Sequence, residues 1–207
     1  LGTDLDRFTK LFERFEMVEG SMIPSGKRGI LIANRLYEER VKHRVAFELD
    51  EMNTAVTKVG KRFATDEDLR DRAKRLSRQY QRISHQLSVV DAEAVTQALR
   101  AFLKNTDADL KSLLQEFLIL DDANFAERYR FFYDVIAPKV RLYMFPIGSD
   151  ITIRAVTKSG YYKAVKVKLY GTYRFKSLEE SDLAGAQNLV DMLTFRELYG
   201  VMTEQQK

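Results

Sequence analysis

Residues 17–37 read MVEGSMIPSGKRGILIANRLY, and the apolar run in their middle decides the fold. Gly29-Ile30-Leu31-Ile32-Ala33 is too short for a core helix and too apolar for a surface loop. A buried strand fits it. Pro24, Ser25 and Gly26 before it are turn formers, and Asn34 after it offers a side-chain oxygen to cap a helix. The stretch therefore predicts a loop, a strand, a cap and a helix. A four- or five-residue strand buried on both sides needs partners, so the rest of the chain must supply more strands.

Those partners come from the other end. In KAVKVKLYGTYRF (163–175) the odd positions Val165, Val167, Leu169, Tyr173 and Phe175 are apolar, while Lys166, Lys168, Thr172 and Arg174 are polar. A period of two predicts a half-buried antiparallel strand with one wet, basic face. DITIRAV (150–156), across the turn TKSGYY, is its hairpin partner. AQNLVDML is predicted as a further strand and TFRELYG as a short helix capped by Thr194 and closed by Gly200.

Between the strand-bearing flanks, residues 35–138 hold one glycine, Gly60, and no proline before Pro138. Apolar residues there recur at three and four. One long helix is predicted over Leu36–Phe63, a second from the capping sequence TDED at Thr65 to Leu87, and a third over Asp91–Lys104. A fourth follows Thr106 or Asp107, and a fifth runs over Asn124–Ile136 until Pro138 ends it. Short links between them predict antiparallel packing. An amphipathic helix with Leu5, Phe8, Leu11, Phe12 and Phe15 precedes the opening stretch. The fold class is thus α+β: a small mixed β-sheet module (1–37 and 141–207) with short flanking helices, interrupted by an inserted antiparallel helical bundle (38–140).

Composition agrees with a folded chain. Of 207 residues, 45% are hydrophobic and 31% charged, enough apolar material for a core. The net charge of +4 is modest but local. Basic and acidic residues balance over 38–140, whereas 141–175 carries Arg141, Arg154, Lys158, Lys163, Lys166, Lys168 and Arg174 against Asp150 alone. The absence of cysteine excludes disulfides, thiolate nucleophiles and thiolate metal sites without fixing the compartment. No apolar run approaches the roughly 18 residues of a membrane helix. The chain starts at Leu1 with no methionine or basic leader, so targeting or anchoring segments are expected to lie outside it.

Catalytic chemistry finds no assembled signature. His43 and His85 lie in helical segments without a convincing ligand set; Glu39 and His43 are four apart, a common spacing, and the histidines are read as solvated or satisfied. GSMIPSGKRG lacks the Lys-Ser/Thr of a phosphate loop. KRFATDEDLRDRAKRLSRQYQR carries many arginines beside Tyr80, as a nucleic-acid helix does. Its interleaved acids, paired as Asp68–Arg72 and Asp71–Arg75, favour a solvated, salt-bridged face. The expectation is a non-enzyme with no cofactor and no metal.

Several quoted pieces in order resemble the extracytoplasmic domain of FtsX-like ABC transporter permeases, the superfamily of MacB and LolC/LolE. Gly2-Thr3-Asp4, Val18-Glu19-Gly20, Gly29-Ile30-Leu31-Ile32 and Asn34-Arg35-Leu36 match the first half of the family pattern. Gly148-Ser149-Asp150-Ile151-Thr152-Ile153, Leu169-Tyr170-Gly171-Thr172-Tyr173 and the closing LVDMLTFRELYG match the second. Ordinary members have only a short link between the halves; here residues 38–140 stand in it.

The resemblance implies mechanotransmission rather than chemistry. A cytoplasmic ATPase subunit would drive two permease subunits, alike or different, and this periplasmic domain of an inner-membrane protein would contact cargo or a partner protein, lipoprotein release or export being the first expectation. No nucleic-acid partner is expected. The alternative class is a soluble helical adaptor or nucleic-acid-binding protein using the basic β-hairpin. Within the insertion, Phe125, Tyr129, Phe132 and Ile136 form one helical stripe, while Phe131 and Tyr133 lie off it and are expected to be exposed partner contacts.

Overall fold

The computed structural model describes residues 2–3, 14–156, 160–177 and 187–199. The chain is α+β and divides into two compact units, one of residues 1–41 with 145–207 and one of residues 42–144.

The first unit is a mixed sheet. Its strands are β1 (Gly2–Thr3), β2 (Phe15–Gly20), β3 (Gly29–Ala33), β4 (Asp150–Val156), β5 (Tyr162–Phe175) and β6 (Asn188–Asp191). Their order is β1-β6-β3-β5-β2, with β4 also on β5. The run that opened the sequence is β3, parallel to β5 and antiparallel to β6. All five of its residues are buried, which is why it shows no alternation. Burying Ile30, Leu31 and Ile32 contributes about 1.5–3 kcal/mol each.

The long strand β5 serves two partners along one edge: β4 pairs with 162–168 and β2 with 171–175. Its first residues pair with β4 alone, because β3 joins only from Lys168 onward. Alternation holds along β4 and along β5 as far as Leu169, with Val165, Val167 and Leu169 buried and Lys166 and Lys168 exposed. It fails at Gly171–Tyr173, where Thr172, expected on the wet face, is fully buried because β2 and β3 flank the strand on both edges there; Arg174 is exposed again. Phe15 stacks on Tyr173 with ring centroids 5.2 Å apart, beside Leu31, Ala33, Phe175 and Leu189.

Two short helices belong to this unit, α1 (Asn34–Arg40) and, closing the sheet, α8 (Met192–Tyr199), which packs on β1, β4, β5 and β6. Asn34 is the first helical residue of α1 and provides no cap; Ala33 stands at the cap position without a side-chain bond. Asp191, not Thr194, caps α8, its Oδ1 accepting the Thr194 N–H at 2.9 Å. β2 was not foreseen. Its bulge between Met17 and Glu19 disturbs the alternation that would have announced it. The helix expected over Leu5–Phe15 lies mostly outside the described residues, except Phe15, which is in β2.

The second unit is helical: α2 (Arg44–Thr57), α3 (Glu67–Ser77), α4 (Gln81–Ser84), α5 (Val89–Leu103), α6 (Leu110–Phe117) and α7 (Phe125–Phe131), the last continued by a π-helical turn over Phe132–Ile136. The single helix predicted over Leu36–Phe63 is broken twice. At residues 42–43 the chain makes strand-like contacts with 142–143, His43 N–H donating to the Leu142 carbonyl at 2.7 Å. At the other end Gly60 adopts φ +76°, a conformation that ends helices. Phe63 and Ala64 then give their N–H groups to the Asp122 carboxylate at 2.8 and 2.9 Å. The helix expected from Thr65 to Leu87 also splits, after Ser77; within the capping sequence TDED it is Asp66 that caps the first turn, its Oδ1 accepting the Leu69 N–H at 2.8 Å. Asp109 takes the capping role expected of Thr106 or Asp107. One core unites these helices, including Leu49, Met52, Leu76, Leu99, Leu113 and Phe132.

Candidate contact surface

Phe131 and Tyr133 are where the sequence placed a partner contact, and the structure places them against the core of the helical unit. Phe131 is half-buried, with its ring centroid 4.3 Å from that of Phe102 and 5.4 Å from that of Phe117. Tyr133 is half-buried too and donates to Asp50 Oδ1 at 2.6 Å. The expectation of exposure is therefore corrected. It assumed one buried stripe, but neighbouring helices pack on more than one side of α7 and its π-helical continuation.

Around Asp50 a polar cluster has formed that the sequence did not reveal. Tyr129 donates to the same Oδ1 at 2.9 Å, and Lys42 Nζ lies 2.6 Å from Oδ2. Lys42 also sits over the Tyr143 ring, 5.5 Å from its centroid. Tyr129 and Tyr133 are four residues apart, so both phenols reach one carboxylate from one side of the helix. Burial, reinforced by the Asp50 bond, pushes the Tyr129 phenol up to about 12 and that of Tyr133 further still. Both stay neutral donors at ordinary pH. With three donors on its carboxylate, Asp50 is engaged as an acceptor, and the cluster acts as a clamp between α2 and α7. The only advance signal was the Tyr-x-x-x-Tyr spacing. Nothing local pointed to Asp50.

The other chemical candidates resolve in the same direction. His43 is buried, its Nε2 3.0 Å from the Arg82 carbonyl, and burial lowers its pKa. Glu48, also buried, binds Arg44 and, at 2.8 Å, Arg72. Arg72 thus reaches across to α2 rather than to Asp68, the partner its spacing suggested. A depression of about 320 Å³ beside it is lined by Glu51, Lys61, Asp66 and Arg75. Its charges offset each other, as in the Lys61–Asp66 pair at 2.8 Å. Among the described residues no group of three or more His, Asp or Glu is placed to hold a metal.

Exposed aromatic surface lies in the sheet unit instead. Among the described residues the exposed aromatics are Phe145, Tyr161, Tyr162 and Tyr199, with Tyr161 75% and Tyr162 81% accessible. Tyr161 and Tyr162 stand at the end of the β4–β5 hairpin, whose solvent face carries Arg154, Lys166 and Lys168. The basic strand face read from the sequence is thus present, with two tyrosines at its tip that the doublet in TKSGYY could have announced.

Among the described residues no helix is long and apolar enough to cross a membrane. No family model, no curated protein and no solved structure matches this chain.

Proposed function

We infer that this chain is the extracytoplasmic domain of an ABC transporter permease subunit of the mechanotransmission type, lying in the periplasm beside the inner membrane. It meets cargo or a partner protein there, lipoprotein release or export being the favoured class. Energy comes from a cytoplasmic ATPase subunit, and a second permease subunit completes the transporter. The domain itself binds and transmits; it is not an enzyme.

The observation that carries this reading is the way the two separated flanks of the sequence build one sheet. Gly29-Ile30-Leu31-Ile32 lies between Leu169–Tyr173 on one side and Asn188–Val190 on the other. The pieces that resemble the permease pattern are therefore neighbours in space, in a unit that the helical residues 42–144 interrupt in sequence. A scaffold that tolerates such a long excursion in one link has a use for both parts. In this reading the sheet unit transmits force and the helical unit meets the cargo or partner.

The test uses the full-length gene product. Reporter fusions before and after this domain should reveal flanking membrane segments and place the domain outside the cytoplasm. The solubilised protein should co-purify with an ATPase whose turnover requires it. A gene product without membrane segments on either side would end this reading in favour of the soluble adaptor.

A further inference from the structure

The β4–β5 hairpin presents two open strand edges. Among the described residues β4 pairs with β5 alone, and residues 162–167 of β5 pair with β4 alone, since β3 joins only from Lys168. An open edge is a template for another strand unless charge or geometry guards it. The β5 edge is guarded, for residues 162–167 hold Lys163 and Lys166 and no acid. The β4 edge is not. Asp150, Thr152 and Arg154 lie exposed on one face of it, with Ile151 and Ile153 half-buried on the other. The backbone decides which of these a new strand meets. Leu169 donates its N–H to the Ser149 carbonyl at 2.9 Å, in the register that continues through Asp150 and Lys168. Ladder bonds of an antiparallel pair fall on every second residue. Ile151 and Ile153 therefore bond to β5, while Asp150, Thr152 and Arg154 turn their N–H and C=O groups outward.

We propose that this edge pairs antiparallel with the same edge of a second copy of the chain, Thr152 facing Thr152 across a two-fold axis. Charge selects that register. It sets Asp150 of each copy opposite Arg154 of the other, so one ion pair forms twice. Centring on Ile153 instead puts Arg154 opposite Thr152 and Asp150 opposite Val156, and centring on Arg154 brings two guanidinium groups together. Arg154 has no ion pair among the described residues. Asp150 has one on the surface, its Oδ2 3.0 Å from Lys166 Nζ, and the pairing leaves that contact in place.

The remaining rows of side chains are compatible with this register. Thr152 on Thr152 is a favourable cross-strand pair. The Lys166 residues of the two copies stand three strand spacings apart, about 14 Å, beyond the screening length of about 8 Å at physiological salt. On the other face Ile151 comes opposite Ile153, extending the apolar row of the buried Val165 and Val167. A ribbon of two strands is marginal in water, and pairing puts both β4 strands inside a wider sheet. The inference stands apart from the transporter reading, since it concerns how the chain meets its own copies whatever drives the rest of the protein.

The test is sedimentation equilibrium of the 207-residue chain from about 1 μM to about 1 mM, the range in which a short interface associates. The parent should pass from monomer to dimer and no further, because a two-fold contact closes on itself. Asp150→Arg alone and Arg154→Asp alone should each weaken the dimer about thirtyfold, since two attractive cross-strand pairs become repulsive. Mixed in equal amounts, the two variants should recover the dimer, because one then offers only cations at these positions and the other only carboxylates. Circular dichroism and thermal melts of each variant should match the parent, both positions being exposed. A parent that stays monomeric to the top of the range would overturn the proposal. So would a dimer that either reversal leaves intact, or single variants that fail to pair on mixing.

Discussion

Gly29 donates its backbone N–H to Asp191 Oδ2 at 2.8 Å, and the other oxygen of that carboxylate accepts the Thr194 N–H at 2.9 Å. One buried side chain thus joins the start of the central strand β3 to the first turn of α8, across 162 residues of sequence.

Asp191→Ala should leave two buried donors without partners, at about 1–3 kcal/mol each. Asp191→Asn should fall between, because its single amide oxygen can replace only one of the two bonds. Hydrogen exchange at the Gly29 amide and the denaturation midpoint of the sheet unit would measure both. A midpoint for the alanine variant equal to that of the parent would refute the joint role.

Gly20 and Gly171 are Cα partners across β2 and β5. A Cβ on Gly20 would strike the Tyr170 carbonyl, and one on Gly171 the Glu19 carbonyl, backbone in both cases. Either Gly→Ala change should cost about 1–3 kcal/mol. Gly26→Ala is the control: its φ is +71° but nothing stands near the added carbon, so only the conformational cost of about 1 kcal/mol applies. Thermal melts showing the same loss at all three positions would remove packing from the explanation.

Alkaline titration should expose the Asp50 clamp. The folded unit holds Tyr129 and Tyr133 neutral above their ordinary range, so the unfolded chain loses these protons first. Their contribution is complete below about pH 10 and is lost as the pH rises toward about 12. Melting temperatures across this window should fall less in the Tyr129→Phe/Tyr133→Phe double variant than in the parent. Tyr173, whose phenol burial also raises, leaves a residual slope. Parallel profiles for the two proteins would exclude the clamp as their source.

Phe131→Ser should destabilise the helical unit by about 2–4 kcal/mol, because it empties the aromatic contacts to Phe102 and Phe117. The check is urea unfolding followed by far-ultraviolet circular dichroism. A stable variant defective only in partner capture would restore the surface role that the sequence had assigned to this residue.

Replacing residues 42–144 by a short Gly/Ser linker should leave a β-rich protein that unfolds cooperatively. Tyr37 donates its hydroxyl to the Phe145 carbonyl at 2.9 Å, so a short link suffices to rejoin the two ends of the sheet unit. Absence of a cooperative transition in calorimetry would show that the sheet depends on the helices.

Sequence periodicity alone determined the two kinds of unit and four of the six described strands, β1 and β2 being missed. The unbroken run of β3, the alternation of β5 and the three-four spacing of the middle are each direct consequences of which side chains meet water. A cap within TDED was legible for the same reason, since it depends on residues a few positions apart, and the structure assigns it to Asp66. What tertiary structure decided was everything that joins distant positions. The long helix over 36–63 gives way at 42–43 because residues 142–143 offer competing backbone partners, and at Gly60 because the following segment is held by Asp122. Phe131 and Tyr133 are half-buried against the core instead of exposed because more than one side of their helix is covered, and periodicity reports the polarity of a face, not how many neighbours pack on it. Asp50, Lys42 and two tyrosines from another helix become one cluster only when the chain has folded, since no local spacing relates them.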